Sequence, residues 1–448
     1  MPCGAPSLTK APSVRLHRSL PGISRYRFEL RCDTVVLEPI ALRTERSRSN
    51  GSTSRTEDRI RARRAGTVMF VNVAVLKETQ PHERRVALVP AVVARLVKLG
   101  ARLHMQCGAG EAVALPDQAF QDVAFTANRR ELLRDADVVL AIGPPALGAI
   151  DEMKAGAILI SFIYEHNEPA LVERLLERKI TCFAMERVPR ISRAQSMDAL
   201  SSQSALTGYY GVQLGATHLN RVLPKITTAA GTIGPAKVLV MGLGVAGLEA
   251  IATAHRLGAV VEGYDVRPET AEQAASLGAT FVDTGVDARG KGGYARELTA
   301  DERVKVAAAL TKHIAAADLI VTTAAIPGKA SPKLISSGQA AGMKAGAVIV
   351  DLSAEGGGNC DDTVPGQTVR VGRITIVAPL NVPSLLGADA SNLYAHNAFN
   401  LLALMLKDNI VTIDWSDEVL AKTMLTHAGA MHDDAANHKS AQTAVKVA

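Results

Sequence analysis

Residues 237–269, KVLVMGLGVAGLEAIATAHRLGAVVEGYDVRPE, hold glycines spaced G-x-G-x-x-G at Gly242, Gly244 and Gly247. An apolar run precedes them and an Ala-rich run follows, the context of a strand, a tight turn and a helix. Gly242 permits the turn, Gly244 lets the backbone approach a pyrophosphate, and Gly247 lets helix and strand pack closely. The pyrophosphate would rest on backbone N–H groups at the positive end of the helix dipole. Asp265 follows 18 residues after Gly247, at the end of the next strand. Its carboxylate suits the hydroxyls of an adenosine ribose and repels a 2′-phosphate, which favours NAD over NADP. Arg267 stands two residues further on and is expected to point elsewhere.

Three other stretches concentrate polar residues or glycines. RVPRISRAQSMDALSSQ (187–203) packs three Arg with Gln195, Asp198 and several Ser before a helical segment. That density suits a ligand cleft at a domain junction; a solvated linker ending in an N-cap is the plainer reading. GVDARGKGGYARELT (285–299) has four Gly and Tyr294, and reads either as a lid that closes an aromatic on a ring or as a surface loop. AIPGKASPKLI and VDLSAEGGGNC each follow a strand, and carboxyl ends of strands face a cofactor crevice. Asp351, Glu355 and Asn359 are therefore cleft candidates, unless DLSAEGGG merely turns the chain.

The scaffold that must hold these residues is α/β. The chain has 448 residues, is 47 % hydrophobic, and combines 36 Gly with only 4 % aromatics. That composition fits strands joined to helices by tight turns. Strand-like and helix-like runs alternate from VNVAVLKE onward, with AVVARLVKLG an amphipathic helix ending at Gly100. A weak internal repeat supports two parallel sheets: ADVVLAIGPP (136–145) resembles ADLIVTTAAIPG (317–328), and MKAGAILIS (153–161) resembles MKAGAVIVD (343–351). The expected fold is two doubly wound, Rossmann-like domains joined by long helices. Residues 69–205 form the first, completed by about 379–448, and residues 206–378 form the dinucleotide-binding one. SMDALSSQSALTGYYGVQLGATHLNRVL (196–223) reads as the linking helix and SNLYAHNAFNLLALMLKD (391–408) as the return. The last 25 or so residues read as a frayed tail.

Residues 1–68 carry 13 Arg and one Lys against six acids, a net charge of +8 within a total of +6, so the body is slightly acidic. Nucleic-acid binding by the body gains no support. This Arg- and Ser-rich stretch reads as a disordered extension. A basic arm, a transit peptide and a mis-chosen start are the readings open to it, and the abrupt onset of structure-like sequence at Met69 favours the last. No run approaches the ~18 apolar residues of a membrane span. The five scattered Cys fit a reducing cytosol and make a structural zinc site unexpected, so no metal ligands are assigned.

KETQPHERRVALVP, RISRAQSMDALSSQ, GLGVAGLEAIATAHRLGAVVEGYDVR, GGYARE, TAAIPGKASPKLI and VDLSAEGGGNC together resemble the NAD(H)-binding first domain of the proton-translocating NAD(P) transhydrogenases, over about residues 69–413. RAQSMDALSS with GGYA is more specific than the glycine pattern. The resemblance implies a Re/Si-specific enzyme α subunit. In it, hydride passes directly between NAD(H) here and NADP(H) on a partner β subunit, and membrane-embedded subunits couple the transfer to proton flow. It further implies a homodimer, cytoplasmic and peripheral to the inner membrane through its partners. Arg190, Gln195, Asp198 and Ser201 would line the nicotinamide end, with Gln195 and Asp198 reaching toward the partner's nucleotide. Gly242, Gly244, Val245, Gly247, Asp265, Val266, Arg267, Gly293, Tyr294 and Ala325 would bind the cofactor, Tyr294 from a mobile loop. Alanine dehydrogenase shares the fold and is the rival. Its amine chemistry asks for a Lys, a His and an Arg in the cleft. Here Gly143 stands where that Lys is expected, His166 is displaced and reads as a surface loop residue, and Arg85 is retained.

Overall fold

The computed structural model describes residues 70–289, 296–326, 328–407 and 409–432. Short runs of Val, Ile and Leu that are buried on both faces make strands for the interior of parallel sheets. In the first half these are β1 (Val71–Val75), β4 (Val138–Leu140), β5 (Ile158–Ser161) and β6 (Thr181–Ala184), whereas β2 (Ala101–Gln106) is buried on one face and β3 (Val123–Thr126), at the sheet edge, has no fully buried residue. Helices α1 (Pro90–Lys98), α2 (Arg129–Arg134), α3 (Leu147–Glu152) and α4 (Pro169–Glu177) lie between them. Helix α5 (Ala199–His218) then leads past a small hairpin, β7 (Ile226–Thr228) and β8 (Gly231–Ile233), into the second half.

The second half runs β9 (Lys237–Met241), α6 (Val245–Arg256), β10 (Val260–Tyr264), α7 (Thr270–Ser276), β11 (Thr280–Phe281), α8 (Ala300–Ala316), β12 (Leu319–Thr322), α9 (Ser337–Ala341), β13 (Val348–Asp351), β14 (Thr368–Val371) and β15 (Ile374–Val377). The chain returns through α10 (Val382–Leu385) and α11 (Gly387–Met405). It then forms a two-stranded ladder, β16 (Leu406–Lys407) with β17 (Ile410–Val411), and ends in α12 (Glu418–Thr423), β18 (Met424–His427) and β19 (Ala430–Met431).

The first sheet has the order β19-β18-β6-β5-β4-β1-β2-β3 and the second β11-β10-β9-β12-β13-β15-β14. Within each, the six parallel strands follow the doubly wound order 3-2-1-4-5-6. Each sheet therefore has a switch point, between β1 and β4 and between β9 and β12. The repeat noted in the sequence falls on the fourth and fifth strands of both sheets.

Glycines let α5 sit close to the second sheet. A Cβ on Gly211 would lie 2.6 Å from Leu352 Cδ1, and one on Gly215 2.5 Å from Leu319 Cδ1. Helix α11 is instead buried in the first core through Tyr394, Ala398, Leu401, Leu402 and Met405. The stretch expected to be a frayed tail is partly strand. β18 pairs antiparallel with β6, because Met424, Leu425 and Thr426 are buried and complete the sheet edge. The expected disordered extension, residues 1–68, lies outside the described residues.

Candidate functional site

The glycine loop leaves β9 at the second switch point. Gly242 turns the chain with φ of 93°, and a Cβ there would press on the Ala324 backbone across the switch point. A Cβ on Gly247 would overlap the Gly242 carbonyl oxygen. Gly244, at the N-cap of α6, differs, since a Cβ there meets nothing within 4 Å. Two of the three glycines thus serve the protein's own packing, and the third faces open space at a helix N-terminus. Val245 beside it is exposed.

The facing loop after β12 is held by its neighbours. The Thr323 hydroxyl donates to the Gly242 carbonyl at 2.7 Å. Asn359 accepts from the Ala324 N–H at 3.1 Å and donates to the Ala324 carbonyl at 2.8 Å. Ala325 follows, exposed. Asn359 and Asp351 are fully buried and line no cleft. Asp351 accepts from Thr322, Ser353, Asn359, Cys360 and Thr363, so it braces the loop that carries Asn359.

Asp265 ties β10 to the glycine loop: its carboxylate accepts the Leu243 N–H at 2.7 Å. Arg267 does not point elsewhere. Its N–H and Nε donate to Asp265 Oδ1 at 2.9 and 2.8 Å, and Nη2 donates to Oδ2 at 2.8 Å. The chain bends at Val266, where the Asp265 side chain accepts the N–H two residues on in an Asx turn, and this brings the guanidinium back onto the carboxylate. Val266 between them is half-buried.

The 187–203 stretch builds a second group. Asp198 caps α5, accepting the Ser201 N–H at 2.9 Å and the Ser201 hydroxyl at 2.6 Å. A 3-10 turn, Ser192–Met197, precedes the cap, with Ala194 and Met197 buried and Gln195 exposed. Arg190 is exposed upstream. A Cβ on Gly208 of α5 would overlap the Ala246 carbonyl oxygen in the first turn of α6. Ser201 and Asp198 therefore stand roughly 10–15 Å along α5 from the glycine-loop helix. Close helix packing joins this group to the glycine loop. Gly293 and Tyr294 lie outside the described residues.

A third group surrounds the first switch point, in KETQPHERR. Arg85, 8 % exposed, donates to Glu83, to Gln203 of α5 at 2.9 Å and to Asn381 at 3.3 Å. Burial pushes the Glu83 carboxyl up, but the Arg85 guanidinium outweighs it and holds it below its ordinary value. Asn381, at φ 44°, donates its N–H to Glu355 at 2.6 Å, so this network bridges the two sheets' loops. Glu78 accepts the Ile142 N–H at 2.6 Å, and burial raises its carboxyl to about 7. A cavity of about 350 Å³ opens beside Lys77, Glu78, Glu83 and Arg85. Charges placed directly after a buried strand are the signal that marks Glu78 and Glu83; nothing local marks Asn381 or Gln203. Gly143 itself supplies no side chain, and the Glu78 carboxylate lies beside it, 3.9 Å from where a Cβ would stand. His166 is largely exposed yet lies against Gly328, where a Cβ would be 2.8 Å from its Cδ2.

Among the described residues no cluster of His, Cys, Asp or Glu could hold a metal ion, and no helix is long and apolar enough to cross a membrane.

Comparison with known proteins gives the family and the fold. Residues 74–207 match the family model "Alanine dehydrogenase/PNT, N-terminal domain", and residues 211–434 match "Alanine dehydrogenase/PNT, C-terminal domain". The chain is 44 % identical over 374 residues to the first part of NAD(P) transhydrogenase subunit alpha of Rhodospirillum rubrum, covering 81 % of this chain and 97 % of that protein. It is 38 % identical over 367 residues to the same subunit of Rickettsia prowazekii, covering 80 % of this chain and 95 % of that one. The crystal structure of a transhydrogenase from Sinorhizobium meliloti superposes with a TM-score of 0.73 at 40 % identity, covering 80 % of this chain and 99 % of that one. An alanine dehydrogenase of Mycolicibacterium smegmatis is more distant, at 27 % identity over 81 % of this chain and 95 % of that one. The chain belongs to the alanine dehydrogenase/PNT family and, within it, to the NAD(P) transhydrogenase α subunits.

Proposed function

We propose that this chain holds NAD(H) on its second sheet and passes hydride directly to or from NADP(H) carried by a partner β subunit. The transfer is coupled to proton translocation by membrane-embedded subunits. As a transhydrogenase α subunit it is an oxidoreductase of NAD(H). The observation that carries the reading is the open space over Gly244 at the N-terminus of α6, with Asp265 at the end of the adjacent strand. The α6 N–H groups would hold the pyrophosphate, and Asp265 would exchange an Arg267 donor for a ribose hydroxyl. Asp265, beside Val266 and Arg267, disfavours a 2′-phosphate. NAD(H) supplies the hydride.

Exchange between two nicotinamides releases no proton at the reacting carbons. The chain therefore has to bind, align and exclude water, and needs no acid or base in contact with the rings. Gln195, Asp198, Arg190 and Ser201 would flank the nicotinamide, with Tyr294 and Gly293 on a loop that closes over it. The dehydrogenase reading fares worse. Gly143 offers no amine, and the Arg85 guanidinium is taken by Glu83, Gln203 and Asn381.

The chain is further proposed to act as a homodimer. Mixing it with NADH, an oxidised acetylpyridine NAD analogue and a purified NADP(H)-binding transhydrogenase domain tests the function. Reduction of the analogue is expected only when both proteins and NADP(H) are present. Turnover of alanine with NAD and no such reduction would overturn the reading.

A further inference from the structure

The turn that carries Gln195 is gripped from outside by residues with no place in the site described above. On α11, the Asn397 and Asn400 side-chain amides both donate to the carbonyl of Ser196, each at 2.9 Å. Residues three apart on a helix share a face, so one helix presents both donors together. A carbonyl oxygen has two lone pairs, and here both are filled. This carbonyl lies between Gln195 and the capping residue Asp198. Asn397 also accepts the Ser202 hydroxyl at 2.8 Å, tying α11 to the first turn of α5. A second grip acts on the other side of Gln195. Arg193 donates through both terminal nitrogens to Asp417, at 2.6 and 2.9 Å. Asp417 in turn caps α12, accepting from Val419 and Leu420. The buried side chains of Ala194 and Met197 supply two further anchors.

We infer that Asn400, with Asn397 and the Arg193–Asp417 pair, forms a clamp that positions Gln195 and Asp198 for hydride transfer. The inference rests on the proposed role of those two residues. These are positioning residues. They act through the backbone of the 192–197 turn and touch neither nicotinamide. The clamp would matter because hydride transfer depends steeply on the separation and alignment of two rings held by two proteins. A misplacement near 1 Å can cost roughly 100-fold in rate.

The test uses the full chain with a purified NADP(H)-binding transhydrogenase domain. Asn400→Asp keeps the size of the side chain and replaces a donor with an acceptor facing a carbonyl. Asn400→Gln keeps the donor. Asn400→Asp is expected to slow single-turnover hydride transfer at saturating NADH about ten-fold or more, within the range such misplacements produce. NADH affinity, read from its fluorescence, is expected to stay within about two-fold, because the glycine loop is untouched. Asn400→Gln is expected to recover most of the rate. Arg193→Gln, which alters an exposed side chain, is expected to lower the rate in the same direction with NADH affinity kept, and it decides the matter if Asn400→Asp does not fold. Unchanged rates in the variants, or equal loss of rate and NADH affinity, overturn the clamp while leaving the transhydrogenase reading intact. A wild-type chain that transfers no hydride with the partner overturns both.

Discussion

At the scale of single residues, the glycine loop separates what the fold needs from what a ligand needs. Gly247→Ala would drive a methyl into the Gly242 carbonyl and should destabilise the chain by about 1–3 kcal/mol, as overpacking does. Gly244→Ala meets open space, so thermal melting should barely change while NADH affinity falls as the methyl blocks the approach to the α6 N–H groups. Melting curves and NADH titration of the two variants distinguish these effects, and equal stability losses would contradict the assignment. Glu78 makes a different prediction. Its folded carboxyl titrates at about 7 against an ordinary value of 4.5. Between those values the folded chain binds more protons than the unfolded one, so stability should fall as pH rises from about 4.5 to 7 and level off above. The contribution is about 3 kcal/mol at most, at ~1.4 kcal/mol per unit. Urea unfolding across that window should show the slope in the wild type and a shallower one in Glu78→Gln, since burial also raises the Glu186 carboxyl.

At the scale of elements, the sequence repeat has a physical cause. Asp137, just before β4, accepts the Asn72 N–H at 2.9 Å and the Lys154 ammonium at 2.7 Å. Asp318, just before β12, accepts the Lys237 N–H at 2.8 Å and the Lys344 ammonium at 2.9 Å. The Asp of each A-D pair and the Lys of each M-K-A-G thus staple the amino ends of the first, fourth and fifth strands. That is why a local pattern could reveal two similar sheets. The glycine loop and the Asp198 cap are legible for the same reason, since both are made within a few neighbouring residues. The clamp on Ser196 and the Asn381 bridge join residues tens to hundreds of positions apart, and no spacing rule reports them. Arg267 is the exception among local features: its fold-back onto Asp265 comes from an Asx turn at Val266, which the glycine pattern alone does not convey. The α5–α6 contact is another long-range feature, and it too can be tested. Gly208→Ala would place a methyl on the Ala246 carbonyl and push the two helices apart. A loss of about 1–3 kcal/mol is expected, with weaker NADH binding because Ala246 sits in the first turn of α6. Retained stability and affinity would mean the helices separate freely.

At the scale of the whole chain, two similar sheets have taken different tasks. The second sheet's switch point keeps an open helix N-terminus. The first sheet's switch point is occupied by its own charges. Glu83 and Arg85 come from the loop after β1, Gln203 from α5, Asn381 from the return before α10, and Glu355 from the loop after β13. Asn381 donates to the His82 carbonyl and to Glu83 at 3.2 and 2.9 Å while its own N–H reaches Glu355. Asn381 thus joins the loops of the two sheets, held on one side by the buried Glu83–Arg85 pair and on the other by Glu355. Removing one partner of such a pair strands the other charge and typically costs about 3–5 kcal/mol, whereas replacing both with apolar or neutral groups is often close to neutral. Arg85→Met should therefore lower the urea midpoint strongly, and Glu83→Gln combined with Arg85→Met should recover most of it. The double variant loses the ion pair against which Asn381 and Gln203 are held but keeps the glycine loop. It should bind NADH normally and transfer hydride more slowly to a partner-bound NADP+. Equal urea midpoints for the single and double variants would show that the charge pair is not what holds this junction.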